Sequence, residues 1–311
     1  MENETCFWRG LFDTNERNVL QEGMIATGIF SVALCAWVTG TILLTDLRSN
    51  WSYKNLANFY IIACIRRLLP TILNNLTVFL FFLSDVEKCD VDGFLETFFA
   101  VFEVEFLTHI CIERYVIAKY VNNGWDLKNS HYTLYYFLSV MFSFVYSAPP
   151  LFGVVGFARD FTCTSCILDM IFPGTWENAL MIAIFVLRSV KPAIFMIIML
   201  KWASKLERQC INCDKIDMQL TNSIVAIIAA HFICWAPIVF IRGLVIISQL
   251  LNINPMVYLC ADWISWAMWM HWIAPAVSVI TLFATNDRIC YYSYGVFVSS
   301  KPDDDGKEKE H

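Results

Sequence analysis

The feature that most constrains this chain is a series of long apolar runs, many of them near or above 18 residues. A run of that length can cross the hydrocarbon core of a bilayer as an α-helix. Hydrophobic residues make up 58% of the chain and charged residues 16%, whereas about a quarter of a soluble domain is charged. The sequence therefore predicts an all-α membrane protein, a seven-helix transmembrane bundle, with spans at 22–46, 54–83, 89–120, 132–156, 176–202, 217–248 and 256–284.

The spans divide the chain into three parts. An N-terminal segment (1–21) precedes the seven-helix domain (22–284), and a polar tail (285–311) follows it. No cleavable signal peptide is expected, because the first residues are charged and contain no long apolar core.

The charge balance and the missing motifs exclude several classes of function. The net charge is −6 and no basic stripe is present, which argues against a nucleic-acid partner. No nucleophile–base spacing or phosphate-binding loop points to an enzyme. The cysteines have no metal-ligand spacing, so no metal site is predicted.

Lysine and arginine in the short loops predict the orientation in the membrane. One side carries eight of them and the other side, which includes the N-terminal segment, carries four. The richer side is expected to be cytoplasmic, which predicts a multi-pass plasma-membrane protein with an extracellular N-terminus. Asn3 in Asn-Glu-Thr is then a candidate glycosylation site.

Four stretches carry a family resemblance. Cys89 at the start of the third span is followed 24 residues later by Glu113-Arg114-Tyr115 at its other end. Asp217 lies 20 residues before Pro237 in the sixth span. The remaining matches are Ala148-Pro149-Pro150-Leu151, Thr164-Ser165-Cys166-Ile167-Leu168-Asp169 and Phe232-Ile233-Cys234-Trp235-Ala236-Pro237. Together they resemble the opsins among the rhodopsin-like G-protein-coupled receptors.

The resemblance implies a switch at the cytoplasmic end. Arg114 would pair with the adjacent Glu113 and with Asp217 of the sixth span, and its release would let that span move outward. Glu113, Arg114, Tyr115 and Asp217 would then form the surface that couples to a heterotrimeric G protein. Pro237 would kink the sixth span, so that ligand contact at Trp235 becomes rotation of the helix.

The resemblance also implies a disulfide between Cys89 and Cys166, which would tie the third span to the second outer loop. The extracellular side is oxidising, as such a bond requires. Cys163 is the competing partner for Cys89.

One departure from the opsins concerns their cofactor. No lysine occurs between Lys215 and Lys301, so retinal cannot form a Schiff base on the sixth or seventh span. Met268 falls at the position of the opsin lysine, and Asp92 falls at that of its counterion. No covalent cofactor is expected, and a non-covalent retinoid remains an option without support in the sequence. Within the opsin-like group, the chain resembles the lysine-less placopsins.

Charged residues inside the spans are a second departure, since such residues are costly in a bilayer and normally paired. Two interpretations remain open. Arg66 or Arg67 could form structural ion pairs with Glu103. Alternatively, a polar pocket could place Glu96 and Arg188 in contact with the ligand, which makes Asp92, Glu96, Arg188, Trp235 and Met268 the pocket candidates.

These features favour a receptor that binds a small molecule without a covalent bond and signals to a heterotrimeric G protein. The ligand could be a retinoid or a polar compound. One alternative is a receptor-like scaffold that no longer signals, because the Asn-Pro-x-x-Tyr motif of the family is replaced by Ala274-Pro275-Ala276-Val277-Ser278. An ion or proton transporter is the other alternative.

Overall fold

The computed structural model describes residues 6–76, 85–123, 125, 128–153, 156–163, 165–169, 175–209, 217–255 and 259–298. Seven helical spans form one bundle with an antiparallel pair of short strands at one end. The candidate glycosylation site at Asn3 lies outside the described residues.

The bounds of the spans differ from the predicted ones by several residues at many ends. The observed spans are Thr14–Leu44, Trp51–Leu76, Asp85–Asn122, Asn129–Ser147, the fifth span made of Thr175–Phe185, Val186–Val190 and Lys191–Gln209, then Met218–Leu250 and Ala261–Thr285. Short 3₁₀ turns lie at Phe7–Gly10, Asp46–Ser49 and Pro149–Phe152. A further helix, Asp287–Val298, occupies part of the predicted polar tail.

Local chemistry explains two of these differences. The first span begins earlier than predicted because Asp13 caps it: its side chain accepts from the backbone N–H of Glu16, and the Glu16 side chain accepts from that of Asp13. The fourth span ends at Ser147 rather than at 156, because Pro149 and Pro150 lack the N–H groups that would continue the helix.

Length and apolar composition alone mark four described helices as able to cross a membrane: Thr14–Leu44, Ala179–Gln209, Met218–Leu250 and Ala261–Thr285. The second and third spans are 26 and 38 residues long and carry charged side chains. The third span contacts the second, fourth, fifth and sixth, so it lies at the centre of the bundle.

The two ends of the bundle are distinguishable. At one end, which we call the disulfide end because Cys89 is bonded there to Cys166, strand β1 (Phe157–Arg159) pairs with strand β2 (Cys166–Leu168). Phe157 packs so closely on Gly93 of the third span that a side chain at Gly93 would overlap its ring. Arg114 lies 25 residues beyond Cys89, which is about 37 Å along a helix. We call that opposite end the Arg114 end.

Candidate functional site

A cavity opens between the spans toward the disulfide end. It encloses about 680 Å³ of space between atoms, part of which is open to solvent. Most of its wall is aliphatic and comes from the third, fifth and sixth spans and strand β2, including Val101, Val104, Leu168, Ile184 and Ile246. We call it the larger cavity.

Trp235 and His271 contribute aromatic rings to the wall of the larger cavity. The Trp235 ring contacts those of His271 and His231, with centroids 5.1 and 4.8 Å apart. Its Nε1 is buried without a hydrogen-bond partner. Trp235 therefore lies at the wall of a cavity, two residues before the proline of the sixth span.

Arg66 of the second span lies in a cluster of ionisable side chains. Arg66 lies 2.8 Å from a carboxylate oxygen of Glu96 and 2.8 Å from one of Glu103. Its Nη2 also lies 2.8 Å from Nε2 of His271. We call these four residues the Arg66 cluster. Glu103 is therefore in a structural ion pair, as one interpretation held, and Glu96, a pocket candidate, is held by Arg66 as well.

Arg67, next to Arg66, binds backbone carbonyls instead of carboxylates. Its guanidinium donates to the backbone carbonyls of His271 (2.9 Å) and Trp272 (3.1 Å) in the seventh span. Pro275 has no N–H to donate to the carbonyl four residues earlier, which is that of His271. Arg67 thus satisfies an acceptor that the proline leaves open.

Arg188 lies on the π-helical turn Val186–Val190 of the fifth span, and it lines the larger cavity. Arg242 of the sixth span lines the same cavity, and its buried Nε has no partner. Within the described part of the chain, neither guanidinium has an ion pair or hydrogen bond. The sequence analysis named Arg188 but missed Arg242, although an arginine inside an apolar span was a usable signal.

A smaller cavity adjoins the first and contains the other pocket candidates. Asp92, Glu96 and Met268 line it, together with Asp160 and Arg242. Asp92 accepts a hydrogen bond from the backbone N–H of Cys166 (2.7 Å), so it holds strand β2 against the third span. Met268, which the resemblance matched to the opsin lysine, is buried.

Asp160 lies in the loop between the strands and is almost fully buried. Burial raises the pKa of its carboxyl, while hydrogen bonds from Thr162 and Ser165 lower it. Its side chain therefore organises the loop that covers the smaller cavity.

Two disulfides close this end of the bundle. Cys89 is bonded to Cys166, the pairing that the resemblance implied. Cys163, its competitor in the sequence, is bonded to Cys6 of the N-terminal segment. That segment covers the end: Trp8 packs on Phe161 with ring centroids 4.6 Å apart. Both belong to one apolar cluster with Phe12, Ile238 and Met268.

Arg114 joins four elements at the opposite end. Its Nε donates to the Thr221 hydroxyl at 2.8 Å, and its Nη2 donates to the backbone carbonyl of Asp217 at 3.0 Å. Nη2 also lies 3.4 Å from the carboxylate of Glu207 in the fifth span, and Nη1 lies 3.4 Å from the Ser52 hydroxyl in the second. We call these five residues the Arg114 network.

The predicted ionic partners of Arg114 need correction. Glu113 accepts from Ser52 and Asn55 of the second span instead of pairing with Arg114. The Asp217 carboxylate caps its own helix at Leu220 N and accepts from Tyr53 and Arg288. Glu207 provides the ionic contact, and the predictions missed it because it lies in a charged stretch at the end of the fifth span. Tyr115 packs on Trp202, with ring centroids 5.7 Å apart.

Comparisons with known proteins place this arrangement in context. No family model matches the chain. It is 22% identical to pinopsin of Columba livia over 50% of its own length, 24% identical to vertebrate ancient opsin of Salmo salar over 48%, and 26% identical to blue-sensitive opsin of Psalidodon fasciatus over 65%. These matches span 47%, 48% and 62% of the relatives' own lengths.

The fold has a clear counterpart among solved structures. The crystal structure of squid rhodopsin superposes with a TM-score of 0.75 over 96% of this chain and 91% of that one, at 14% identity. The seven-helix bundle of the rhodopsins is therefore the fold of this chain.

Proposed function

We propose that this chain, a multi-pass membrane protein that is opsin-like in sequence and rhodopsin-like in fold, is a receptor that signals to a heterotrimeric G protein. The observation that carries the proposal is the Arg114 network, which ties the third span to the second, fifth and sixth at one end. The sixth span runs from that network to Trp235 and then past Pro237 to Arg242, and both Trp235 and Arg242 line the larger cavity. A ligand there could shift the helix that Arg114 holds.

The ligand is held without a covalent bond in this proposal. The position of the opsin lysine is occupied by Met268, and residues 216–300 contain no lysine. The larger cavity is the ligand site because Trp235, Arg66, Arg188 and Arg242 all reach it.

The orientation follows from both disulfides. Cys6–Cys163 and Cys89–Cys166 lie at the same end, and disulfides persist on the oxidising side of a membrane. We therefore propose that the disulfide end is extracellular and the Arg114 end cytoplasmic, in the plasma membrane. The excess of lysine and arginine in the loops of the Arg114 end supports the same orientation.

Nucleotide exchange on a panel of G proteins, in membranes that contain the full chain, tests the proposal. Glu207→Gln should raise basal exchange, because the closed bundle loses the ionic contact with Arg114 while the Thr221 bond remains. A loss of about 1.4 kcal/mol would shift the closed–open equilibrium tenfold. Arg114→Ala should abolish exchange. Arg208→Gln removes a neighbouring exposed charge outside the network and serves as the control.

Asp217→Ala should also raise basal exchange, by freeing the start of the sixth span from Tyr53 and Arg288 rather than from Arg114. If all four variants match wild type across the panel while reaching the cell surface, the receptor proposal fails. A non-signalling scaffold would then be favoured, and the hold of Arg67 on the seventh span fits that outcome.

A further inference from the structure

We infer that the larger cavity takes an amphipathic carboxylate, whose head group is bound between Arg188 and Arg242 and whose apolar body lies along the aliphatic wall. This inference rests on the proposal that the cavity is the receptor's ligand site, and it names the chemical class of the ligand. Nothing in the resemblance to opsins supplies it, since retinal in those proteins is held as a cation.

Arg188 and Arg242 line one cavity, and within the described part of the chain neither of them forms an ion pair. Arg66 also lines the cavity, but Glu96 and Glu103 neutralise it at 2.8 Å. Arg188 and Arg242 line the same cavity as Arg66, and Glu96 forms no ion pair with Arg188. Charged groups inside a membrane bundle are costly unless paired, so two like charges around one cavity call for an anion.

The carboxylates nearest to this pair form no ion pair with it, although one buried oxygen of Glu96 has no hydrogen-bond partner. Glu96 accepts from Arg66, and Asp160 accepts from Thr162 and Ser165. Asp92 accepts from the backbone of Cys166. No carboxylate among the residues that line the larger cavity is available to Arg188 or Arg242. A ligand carboxylate has two oxygens, and planar guanidinium groups bind such a group through paired hydrogen bonds.

The remainder of the wall determines the body of the ligand. Ala100, Val101, Val104, Met181 and Ile184 face the same space, and none of them offers a side-chain hydrogen bond. An apolar chain or ring system gains free energy by contact with this surface, whereas a polar body such as a sugar would lose its hydrogen bonds to water there. The ligand is therefore an apolar molecule with one anionic end.

This position of the head group would link ligand binding to the switch. Arg188 belongs to the fifth span and Arg242 to the sixth, and a carboxylate between them draws these two spans together. The same two spans supply Glu207, Thr221 and Asp217 to the Arg114 network at the other end. Pro237 lies between the two sites as a point of bending in the sixth span.

Matched pairs of probes that differ only in the head group test the inference. The full chain, purified in lipid nanodiscs, is incubated with radiolabelled retinoic acid or retinol, and in parallel with palmitic acid or palmityl alcohol. We expect at least one acid to bind about tenfold more tightly than its alcohol or better. Arg188→Gln and Arg242→Gln should each weaken acid binding about 10- to 100-fold, the range for loss of a charge-assisted hydrogen bond. The affinity for the alcohols should stay within about twofold.

Two further measurements separate a ligand-binding role from a structural one. Removing one of two like charges relieves repulsion, so each glutamine variant without ligand should unfold at a higher temperature than wild type. A structural arginine would give the opposite shift. Arg188→Lys keeps the charge and should retain the preference for the acid. Arg159→Gln removes a charge in strand β1 outside the cavity lining. It should change the affinity for neither the acids nor the alcohols.

The inference is overturned if acid and alcohol of both pairs bind equally, if no acid binds, or if the glutamine variants keep the acid preference. These results are independent of G proteins. If acid binding depends on both arginines but no nucleotide exchange is seen, the inference about the ligand holds and the proposed signalling is wrong. If nucleotide exchange responds to Glu207→Gln but no acid binds, the proposed signalling holds and the inference about the ligand is wrong.

Discussion

Glu103 and Glu105 lie two residues apart in the third span, yet their ion pairs differ in burial. Arg66 and Glu103 are 2% and 0% exposed, whereas Lys191, the partner of Glu105, is 25% exposed. Removing one partner of a fully buried pair costs about 3 kcal/mol or more where the other charge is left unpaired. Glu96 stays on Arg66 here, so a loss of about 1–3 kcal/mol is expected for Glu103. A smaller loss is expected for Glu105, because Lys191 keeps its contacts with the Tyr146 hydroxyl and the Phe142 ring.

We therefore expect Glu103→Gln to lower the thermal unfolding midpoint in detergent much more than Glu105→Gln does. Both substitutions remove one negative charge from the same helix, so each serves as the other's control. Equal losses would mean that Glu96 alone satisfies Arg66, and the contact with Glu103 would then have no structural role.

Met268 gives a second prediction at the scale of one residue. Wild type incubated with retinal and reduced with borohydride should show no adduct on the seventh span, because residues 216–300 contain no amine-bearing side chain. Met268→Lys should yield one, since Met268 lines a cavity that also contains Asp92 and Glu96. Mass spectrometry of the peptides decides this. An adduct in wild type would refute the non-covalent assignment, and none in Met268→Lys would show that the cavity does not admit retinal.

Some of these residues were predictable from the sequence and others were not. Cys89, Arg114 and Trp235 stand in motifs whose spacing fixes their place along a span, and Cys166 stands in a loop motif. Glu207 and Arg242 have no motif. Whether either residue meets a partner depends on how the neighbouring helices are rotated about their axes. A span that is hydrophobic on all sides gives no pattern from which this rotation can be predicted.

At the scale of elements, the seventh span depends on the second. Pro275 removes the donor for the His271 carbonyl, and Arg67 replaces it. Arg67→Met should therefore destabilise the protein by about 1–3 kcal/mol, the cost of leaving buried acceptors unpaired. Pro275→Ala restores an N–H at the position that can reach the same carbonyl.

The double variant Arg67→Met/Pro275→Ala should lose less stability than the sum of the two single variants. Thermal unfolding of all four proteins in one detergent completes the cycle. Strict additivity would show that Arg67 stabilises the protein by some route other than this carbonyl.

The ends of elements show where prediction from the sequence stops. Pro149 and Pro150 were visible as breakers, yet the apolar run beyond them extended the predicted fourth span to 156. The π-helical turn at Val186–Val190 was not predicted, because one extra residue in a helical turn leaves the hydropathy of the span unchanged. That turn sets the direction of Arg188, so the candidate cavity depends on a detail that the pattern does not contain.

At the scale of the whole molecule, the bundle was the most predictable feature. Long apolar runs leave helices as the only way to satisfy backbone hydrogen bonds in lipid, and the match to squid rhodopsin bears this out. The bond between Cys6 and Cys163 was not predictable, since its partners are 157 residues apart and Cys6 stands in no motif.

The bond of Cys6 to Cys163 holds the N-terminal segment over the disulfide end. A segment in that place affects the rates at which a ligand enters and leaves. A ligand that enters or leaves by that end meets the same barrier in both directions, so releasing the segment accelerates arrival and departure alike. We expect Cys6→Ser/Cys163→Ser to increase the association and dissociation rate constants of a bound acid by one common factor, with Kd within about twofold of wild type. Stopped-flow binding measures both. A change in dissociation alone would mean that the segment touches the bound ligand. With the bond intact, slow exchange would keep the ligand of the proposed receptor bound long after the free ligand has gone.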